Sequence, residues 1–589
     1  MDEITRNRLS RRKFLGASLT TLAGLAAYGC APAAGPSATT APAPSTGGAA
    51  APTAVARSGP KTIGLATGNG IFKGIPDVQG IGATNQPEGA NIAHTALSVM
   101  DHDGVPRPML AAQLPSLTDG TWVVNPDGTM AVTWKLRRDV KWHDGRPFTS
   151  RDVRFSWELA QDNSIPMTKR PAHTNVTAID LPDDYTAVMH WKIPNTYAHV
   201  FTTTDLTIYP EHIVRPLWET GQGERILSNE FFHGGFVGLG PYKLEKLAED
   251  NTFFYRAFDD YFLGRPKIDT ISFYQYEGSQ GVLTALLSGR IQMASAYGLT
   301  FDDGQTVQQQ WESTGEGKVY WTPVSLQRLF MQPDNPLFQD ARVRKALLLS
   351  VDRDEINHTL FNNSVFIAHS LLHPNEPGYK EADPIITKYG FDPRQALAMF
   401  EAAGWTRASD GVLTNAAGDK FEITYRVAAS NQEHQHVQSA MANFWKDVGV
   451  RTTIDNVASS VYNDATEQAN YRGVSILGGS TTVAALYRRW HSTFIPTAAN
   501  HYLGDNTSRW NNPQADRLLD QIEASFDQTQ KNQLLAQIAK VYTDEMPALP
   551  LYYQAEPVAV HKSLLNARPR PNSSGQNTTT WDCYQWDLA

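Results

Sequence analysis

The chain has 589 residues, of which 41% are hydrophobic and 19% are charged, with a formal net charge of −9 at pH 7. This length is too great for one ordinary hydrophobic core and predicts two or more lobes. The negative charge argues against a nucleic-acid-binding role and against broad attraction to anionic lipid. Two cysteines, Cys30 and Cys583, exclude a disulfide framework.

The N-terminus predicts an export signal. Residues 10–15 read S-R-R-K-F-L, which resembles the twin-arginine signal with Arg11 and Arg12 as its arginine pair. The weakly apolar segment at 16–27 is too short to cross a bilayer as a mature helix. The alternative is a basic amphipathic N-terminal helix.

A lipidation site and a tether are predicted next. Residues 27–30 read A-Y-G-C and resemble a lipoprotein processing site with Cys30 as the lipidated residue; the alternative is nearby cleavage with Cys30 lost or free. Residues 31–60 are almost entirely Ala, Pro, Gly, Ser and Thr, a composition that cannot fold and behaves as a linker. We predict a signal peptide at 1–29, a lipid-anchored tether at 30–60, and an exported protein held on the outer face of the cytoplasmic membrane or periplasmic.

The first folded elements are predicted from the residues that form turns and helix caps. Residues 61–66 predict a strand, and residues 122–124 and 129–136 predict two strands around an Asn-Pro-Asp-Gly turn. Thr149 or Ser150 can cap a helix that carries Val153, Phe155, Trp157 and Leu159. Residues 178–191 predict a further strand pair with a turn at Pro182 and Asp183.

The second half of the chain alternates between strand and helix patterns. Asp340, Asp352 and Asp392 are predicted N-caps, and Arg342 and Arg344 are predicted to be surface or interlobe ion-pair residues. Such alternation predicts a mostly parallel sheet with helices on both faces. The predicted strands are 326–332, 421–426, 451–456 and 550–554, and the predicted helices are 282–287, 341–347, 392–405, 435–449, 514–526 and 530–542.

Residues 108–159 carry the most specific pattern, which includes V-T-W-K-L-R-R-D-V-K-W-H-D-G-R-P-F-T-S-R-D-V. This pattern resembles the signature region of the family-5 extracellular solute-binding proteins of bacterial ABC importers, which include dipeptide-, oligopeptide- and nickel-binding proteins. Further similar blocks lie at 236–244, 256–269, 282–294, 336–353 and 392–405. The resemblance extends with gaps from about residue 61 to about residue 560.

The resemblance implies an α/β, two-lobed periplasmic-binding-protein-like fold whose lobes are joined by a hinge. It also implies an additional β-rich subdomain in the first lobe. The expected divisions are the first lobe at 61–95 and 206–325, the subdomain at 96–205, the second lobe at 326–554, and a return to the first lobe at 555–589.

The resemblance further implies capture of a peptide-like solute between closing lobes and its delivery to ABC permease subunits in the membrane. The stretch 475–491 lacks the acid with which peptide-binding relatives grip the peptide amine. An oligosaccharide is therefore the alternative ligand, because a sugar ring could stack on the flat face of Trp490 and a neutral cleft suits a neutral ligand. The expected ligand-binding residues, each of which could instead be ordinary packing, are Phe236, Tyr276, Tyr297, Gln327, Tyr487, Arg489 and Trp490.

No enzyme, cofactor, metal or nucleic-acid partner is expected. The HExxH, GxSxG and P-loop patterns are absent from the sequence after the tether. His434 and His436 have metal-ligand spacing but are predicted to be solvated. An enzyme remains the rival class, which a catalytic constellation in the cleft would favour.

Overall fold

The computed structural model describes residues 59–68, 87–162, 164–165, 171–203, 205–221, 223–332, 335–502, 504–569 and 579–589. The predicted signal peptide, Arg11, Arg12, Cys30 and nearly all of the predicted tether lie outside these residues.

Strands run through the whole described chain. They are β1 (Thr62–Thr67), β2 (Ser98–Met100), β3 (Pro106–Pro108), β4 (Trp122–Val124), β5 (Met130–Lys135), β6 (Val176–Asp183), β7 (Thr186–Trp191), β8 (Tyr242–Leu247), β9 (Phe253–Ala257), β10 (Thr270–Gln275), β11 (Met293–Ala294), β12 (Gly317–Met331), β13 (Phe366–Ile367), β14 (Thr406–Arg407), β15 (Leu413–Thr414), β16 (Glu422–Ala428), β17 (Arg451–Val457), β18 (Val474–Leu477), β19 (Ala548–His561), β20 (Leu564–Leu565) and β21 (Asp587–Leu588).

Helices are concentrated in the second half of the chain. They are α1 (Pro87–Ala93), α2 (Ser150–Gln161), α3 (Pro171–Asn175), α4 (Glu211–Trp218), α5 (Ser279–Leu287), α6 (Phe301–Thr314), α7 (Ala341–Leu349), α8 (Arg353–Phe361), α9 (Tyr379–Ala382), α10 (Pro393–Ala402), α11 (Gln432–Asp447), α12 (Ser459–Tyr462), α13 (Ala465–Asn470), α14 (Val483–Trp490), α15 (Pro513–Ala524) and α16 (Gln528–Glu545).

Eleven of the described strands form one mixed sheet, in the order β17-β16-β18-β12-β19-β11-β1-β10-β9-β8, with β13 paired to β19. At one end β1 pairs in parallel with β10 and β11; at the other, β16 pairs in parallel with β17 and β18. Separate cores pack against the two ends, one around Leu65 and Phe273 and one around Tyr425 and Trp445. We call these two ends the first and second lobes, and the fold is therefore α/β and two-lobed.

The predicted subdomain is a separate antiparallel sheet in the order β4-β5-β7-β6. The predicted turn closes as expected, because the Asn125 amide donates to the Thr129 carbonyl at 2.8 Å and Gly128 adopts a φ of 85°. Thr149 caps α2, and its amide donates to Asp152 Oδ2 at 2.9 Å. Fully buried Trp134 and Trp142 belong to the core of the subdomain.

One predicted turn lies two residues too early. β6 continues through Pro182 to Asp183, and the observed turn is at Asp184 and Tyr185. The Asp183 carboxylate accepts from the Tyr185 amide at 2.8 Å and from Thr186 Oγ1 at 2.9 Å. Asp183 is therefore the residue that precedes the turn, which is the usual position for an aspartate that bonds to the main chain two residues on.

The prediction for Arg344 was wrong. Arg342 is exposed and pairs with Asp340 at 2.6 Å, as predicted, but Arg344 is only 8% exposed. The Arg344 guanidinium donates to the main-chain carbonyls of Phe338 at 2.6 Å and Met546 at 2.9 Å. It therefore satisfies carbonyl groups at the end of α16 that have no partner within the helix.

Candidate functional site

Two long strands connect the lobes. β12 and β19 pair antiparallel from Gly317 opposite His561 to Phe330 opposite Ala548. β19 also pairs with β11 of the first lobe, and β12 also pairs with β18 of the second lobe. The sequence predicted only 326–332 and 550–554 as strands. Both strands are buried over most of their length, so they lack the alternation that reveals an exposed strand.

A cleft with a volume of about 830 Å³ lies between the lobes beside these crossing strands. The first lobe contributes Gln280, Tyr297, Leu299, Thr300, Phe301, Asp302 and Asp303. The second lobe contributes Leu360, Phe361, Ser430, Asn431, Gln432, Glu433 and His436. The crossing strands and their bulge contribute Val324, Gln554, Ala555, Glu556 and Pro557. This volume is in the range of small-molecule sites.

The first wall of the cleft is the start of α6. Thr300 caps this helix and accepts from the Asp303 amide at 3.2 Å, and Thr300 Oγ1 donates to Asp303 Oδ2 at 2.6 Å. Gln280 Nε2 also donates to Asp303 Oδ1 at 3.0 Å. Asp303 is thus used to fix the helix, whereas its neighbour Asp302 is exposed at the cleft.

The opposite wall is the start of α11, which Asn431 caps by accepting from the His434 amide at 3.0 Å. Glu433 follows in the first turn. Its Oε1 accepts from the Tyr552 hydroxyl at 2.8 Å, and its Oε2 accepts from Gln554 Nε2 at 3.1 Å. Burial raises the pKa of Glu433, these two hydrogen bonds oppose that effect, and the charge of Asp302 across the cleft adds to it.

Gln327, a predicted site residue, does not line the cleft, but it contacts Gln554, which does. It is 3% exposed, and its Nε2 donates to Gln554 Oε1 at 2.9 Å. Gln554 in turn donates to Glu433, so a relay of three side chains links β12, β19 and α11. The Gln327 Oε1 atom is buried and has no hydrogen-bond partner within the described structure.

Tyr297, another predicted site residue, is one of the residues that line the cleft. Its φ of 58° is in the left-handed region, and its main-chain amide donates to the Glu556 carboxylate on β19. Its side chain is 41% exposed at the cleft. A hydrogen bond between a first-lobe loop and a crossing strand thus holds the strained backbone of Tyr297.

The other predicted site residues lie elsewhere. Phe236 is 3% exposed in the core of the first lobe, and Tyr276 packs against the cluster beneath α5 and α6. The stretch 475–491 is not a loop, because it contains the end of β18 and all of α14. On α14 the Tyr487 hydroxyl donates to Asp520 at 3.0 Å, and Arg489 packs against the main chain of Gly479.

Trp490 fills a core. It is 1% exposed, and its ring centroid lies 5.0 Å from that of Tyr542 and 6.0 Å from that of Trp510. Tryptophan on a short amphipathic helix is buried when that helix packs on others. Its flat face is therefore not presented to the cleft.

The sequence did not point to the four acidic residues of the cleft, which are Asp302, Asp303, Glu433 and Glu556. For two of these residues, the sequence contains a pattern from which their place in the cleft could have been predicted. Asp302 and Glu433 each occupy the first turn of a helix whose N-cap, Thr300 or Asn431, is legible in the sequence. In open α/β sheets such helix starts lie at the edge of the sheet where ligands bind.

No metal or membrane-spanning feature occurs in the part of the chain that the structure describes. No three or more His, Cys, Asp or Glu side chains are grouped there so as to hold a metal ion. His436 is exposed at the cleft, but His434 is 7% exposed, so the prediction that it is solvated was wrong; burial lowers its pKa to about 4. No described helix is long and apolar enough to cross a membrane.

A family model described as bacterial extracellular solute-binding proteins, family 5, middle part, matches residues 113–499. The chain belongs to this family. The oligopeptide-binding protein AppA of Bacillus subtilis (strain 168) is 24% identical over 464 residues, which cover 77% of this chain and 81% of that protein.

Solved structures of similar proteins share the family-5 fold. An oligopeptide-binding protein from Thermus thermophilus, solved with a pentapeptide, has a TM-score of 0.64 and 22% identity, and the match covers 90% of this chain and 96% of that one. NikZ from Campylobacter jejuni, solved with Ni(L-His), has a TM-score of 0.65 and 18% identity, with 89% and 99% covered. The predicted periplasmic-binding-protein-like fold is confirmed.

Proposed function

We propose that this protein captures an extracellular peptide between its two lobes and delivers it to the permease of an ABC importer. The observation that carries the proposal is the cleft of about 830 Å³, which both lobes line and which the crossing strands β12 and β19 border. Lobes joined by two strands can rotate about them and close on a ligand. The name of AppA and the pentapeptide in the Thermus structure favour a peptide over other solutes.

The lobe divisions belong to the same proposal. Residues 326–554 would move as the second lobe, and 61–95, 206–325 and 555–589 as the first lobe, with the subdomain at 96–205. The register shifts of β12 between Pro323 and Ser325 and between Gln327 and Arg328 are the natural places for bending, because the ladder of hydrogen bonds is interrupted there.

We also propose export by the twin-arginine route and a lipid anchor at Cys30. Replacement of Arg11 and Arg12 by Lys should leave the protein in the cytoplasm, and Cys30→Ala should release the exported protein from membranes into the soluble fraction. Cys30→Ala protein that stayed fully bound to membranes would contradict the anchor.

The oligosaccharide alternative is not proposed. It depended on stacking of a sugar ring on Trp490, and this residue is 1% exposed in a core. It also depended on a cleft without acids, whereas Asp302, Glu433 and Glu556 line the cleft.

Calorimetric titration with a panel of short peptides tests the proposed function. Ser430→Trp places a large side chain in the cleft, and Asn443→Trp places the same side chain on the exposed face of α11, which follows Ser430 in the chain. We expect the unmodified protein and Asn443→Trp to bind the same peptides, and Ser430→Trp to lose binding. No binding of any peptide, or chemical turnover of a panel member, would contradict the proposal.

A further inference from the structure

We propose that the second lobe carries a binding site for a carboxylate, which lies against the guanidinium groups of Arg328 and Arg489 at the end of β18. We call these two residues the arginine pair. The sequence analysis expected Arg489, but not Arg328, among the ligand-binding residues. The site does not depend on the proposed function, because it is inferred from the arginine pair and its surroundings alone.

Both guanidinium groups lie against the end of β18. Arg328 on β12 is opposite Leu477 on β18, and its Nη1 donates to the Leu477 carbonyl at 3.3 Å. Arg489 crosses the main chain two residues further on, where a methyl group at Gly479 would lie 2.2 Å from Arg489 Cζ. Arg328 Cζ also lies 5.4 Å from the centre of a ring of Trp490, the residue that follows Arg489. Two positive charges are thus held beside the same short segment of main chain.

The hydrogen-bond donors of the arginine pair are largely unused by the described residues. The Nε atoms of Arg328 and Arg489 are both buried and have no hydrogen-bond partner there. Arg328 is only 1% exposed, and its bond to the Leu477 carbonyl is longer than most N–H···O bonds. A guanidinium has five N–H donors, and a buried donor that lacks an acceptor costs free energy. An acceptor from outside the described chain would remove this cost.

The nearby acid leaves the charge of the arginine pair uncompensated. The charge of Asp505 acts on both guanidinium groups, but its carboxylate binds Arg488 at 3.0 Å and its side chain is 44% exposed. Burial, and then the like charge of Arg489, lower the pKa of Arg328 to about 9. Burial also lowers the pKa of Arg489, and Asp505 opposes this only in part. Two like charges held together in this way favour an anion between them.

The arginine pair is within reach of solvent and adjoins the cleft. Gly478 is exposed and Arg489 is partly exposed, so an anion can approach at this point. β16 and β18 run parallel, and residues 430–433, which follow β16, line the cleft, so the residues after β18 leave the sheet at the same edge. A methyl group at Gly478 would lie 2.8 Å from Gln327 Nε2, which donates to Gln554 of the cleft at 2.9 Å. The carboxylate can therefore come from a peptide in the cleft or from a free anion.

A carboxylate fits the arginine pair better than other groups do. Its two oxygens match the planar fork of a guanidinium, which can donate two parallel hydrogen bonds to them. An ammonium or a metal cation would be repelled by two positive charges. A neutral amide would accept hydrogen bonds but would leave the buried charge without compensation.

The first part of the test uses acetate as a free carboxylate. Urea denaturation midpoints are measured as sodium acetate is added to the unmodified protein, to Arg489→Gln and to Arg488→Gln. Arg488 is the matched control, because it is exposed and already paired with Asp505. We expect acetate to raise the midpoints of the unmodified protein and of Arg488→Gln, since a ligand of the folded state stabilises it. Arg489→Gln should lose most of this rise, whereas general effects of salt would be shared by all three proteins.

The second part identifies the source of the carboxylate. Calorimetric titration compares a peptide that has a free C-terminal carboxylate with its C-terminal amide, and a peptide that contains Glu with one that contains Gln. If a peptide fills the site, one of the two carboxylate forms should bind about tenfold or more tightly than its partner. Arg489→Gln should abolish the difference, and Arg488→Gln should keep it. If a free anion fills the site, the acetate effect alone should depend on Arg489.

A second variant guards against poor folding of Arg489→Gln. Gly479→Ala places a methyl group where the Arg489 guanidinium lies, so it displaces this group without removing its charge, and it should act like Arg489→Gln in both parts. If neither the acetate effect nor any peptide preference depends on Arg489 or Gly479, the carboxylate site is overturned, and peptide capture stands if peptides still bind. An acetate effect that depends on Arg489, without binding of any peptide, would contradict the proposed function and support the site.

Discussion

Lys531 Nζ donates to Thr196 Oγ1 at 2.9 Å, although 335 residues separate the two. Lys531 belongs to α16 of the second lobe and is 5% exposed, and its ammonium also lies 4.3 Å from the centre of the Tyr197 ring. Beside it, the rings of Trp122 and Phe526 are 5.3 Å apart. Within the described residues, no strand of the subdomain sheet pairs with a strand of the second lobe. These side chains therefore form a contact between the subdomain and the second lobe.

Burial lowers the pKa of Lys531 from 10.5 to about 8, and the negative charge of Glu523 opposes this only in part. Because the folded state releases the proton more easily than the unfolded state, stability should rise with pH between about 8 and 10.5, by up to about 3 kcal/mol. Lys531→Met should remove this rise, as measured by chemical denaturation from about pH 7 to about pH 9.5. Exposed Lys446→Met should keep it, and an equal rise in both variants would contradict this assignment.

Glu376 should make the stability of the protein depend on pH in the opposite direction from Lys531. It is 8% exposed, and burial raises its pKa to about 7 against a hydrogen bond from Thr481. The folded state therefore holds the proton more tightly than the unfolded state, so stability should fall between about pH 4.5 and 7, by up to about 3 kcal/mol. As the pH is raised through this range, the denaturation midpoint of Glu376→Gln should fall less than that of the unmodified protein. The exposed Glu381→Gln serves as control, and a slope shared by all three proteins would count against the prediction.

Arg344 and Arg342 form a matched pair on α7. Arg344→Met would leave buried carbonyls of Phe338 and Met546 without a donor, and we expect it to cost about 3 kcal/mol or more. Arg342→Met removes an exposed guanidinium and should have a much smaller effect. Urea denaturation of the two variants compares them directly. Similar losses would show that burial of Arg344 does not matter for stability.

The sequence predicted those elements whose boundaries depend on local chemistry. The turn at 125–128, the cap at Thr149 and the cap and proline at the start of α10 follow from side chains that bond to nearby main chain, and each was found. The crossing strands β12 and β19 were predicted too short, because burial over most of their length removes the alternation that marks an exposed strand.

The residues of the candidate site were harder to predict from the sequence than the fold. Glu433 becomes a cleft residue because Tyr552 and Gln554, which follow it by 119 and 121 residues, hold it there. Contacts between residues so far apart in the chain cannot be predicted from the local sequence pattern. Arg344 was misjudged for the same reason, since Met546, which accepts its hydrogen bond, lies 202 residues further along the chain. For Trp490 the sequence left ligand binding and core packing open, and the partner that packs against it in the core, Tyr542, is also distant in the chain.

The central claim is that a peptide binds in the cleft between the lobes, and hydrogen exchange with and without a bound peptide tests it most directly. We expect the peptide to slow amide exchange at 297–303, 430–436 and 554–557, which come from both lobes and from a crossing strand. Ser430→Trp should abolish this protection, and Asn443→Trp should preserve it. Protection confined to one lobe, or located away from these three segments, would contradict capture of the peptide between the lobes.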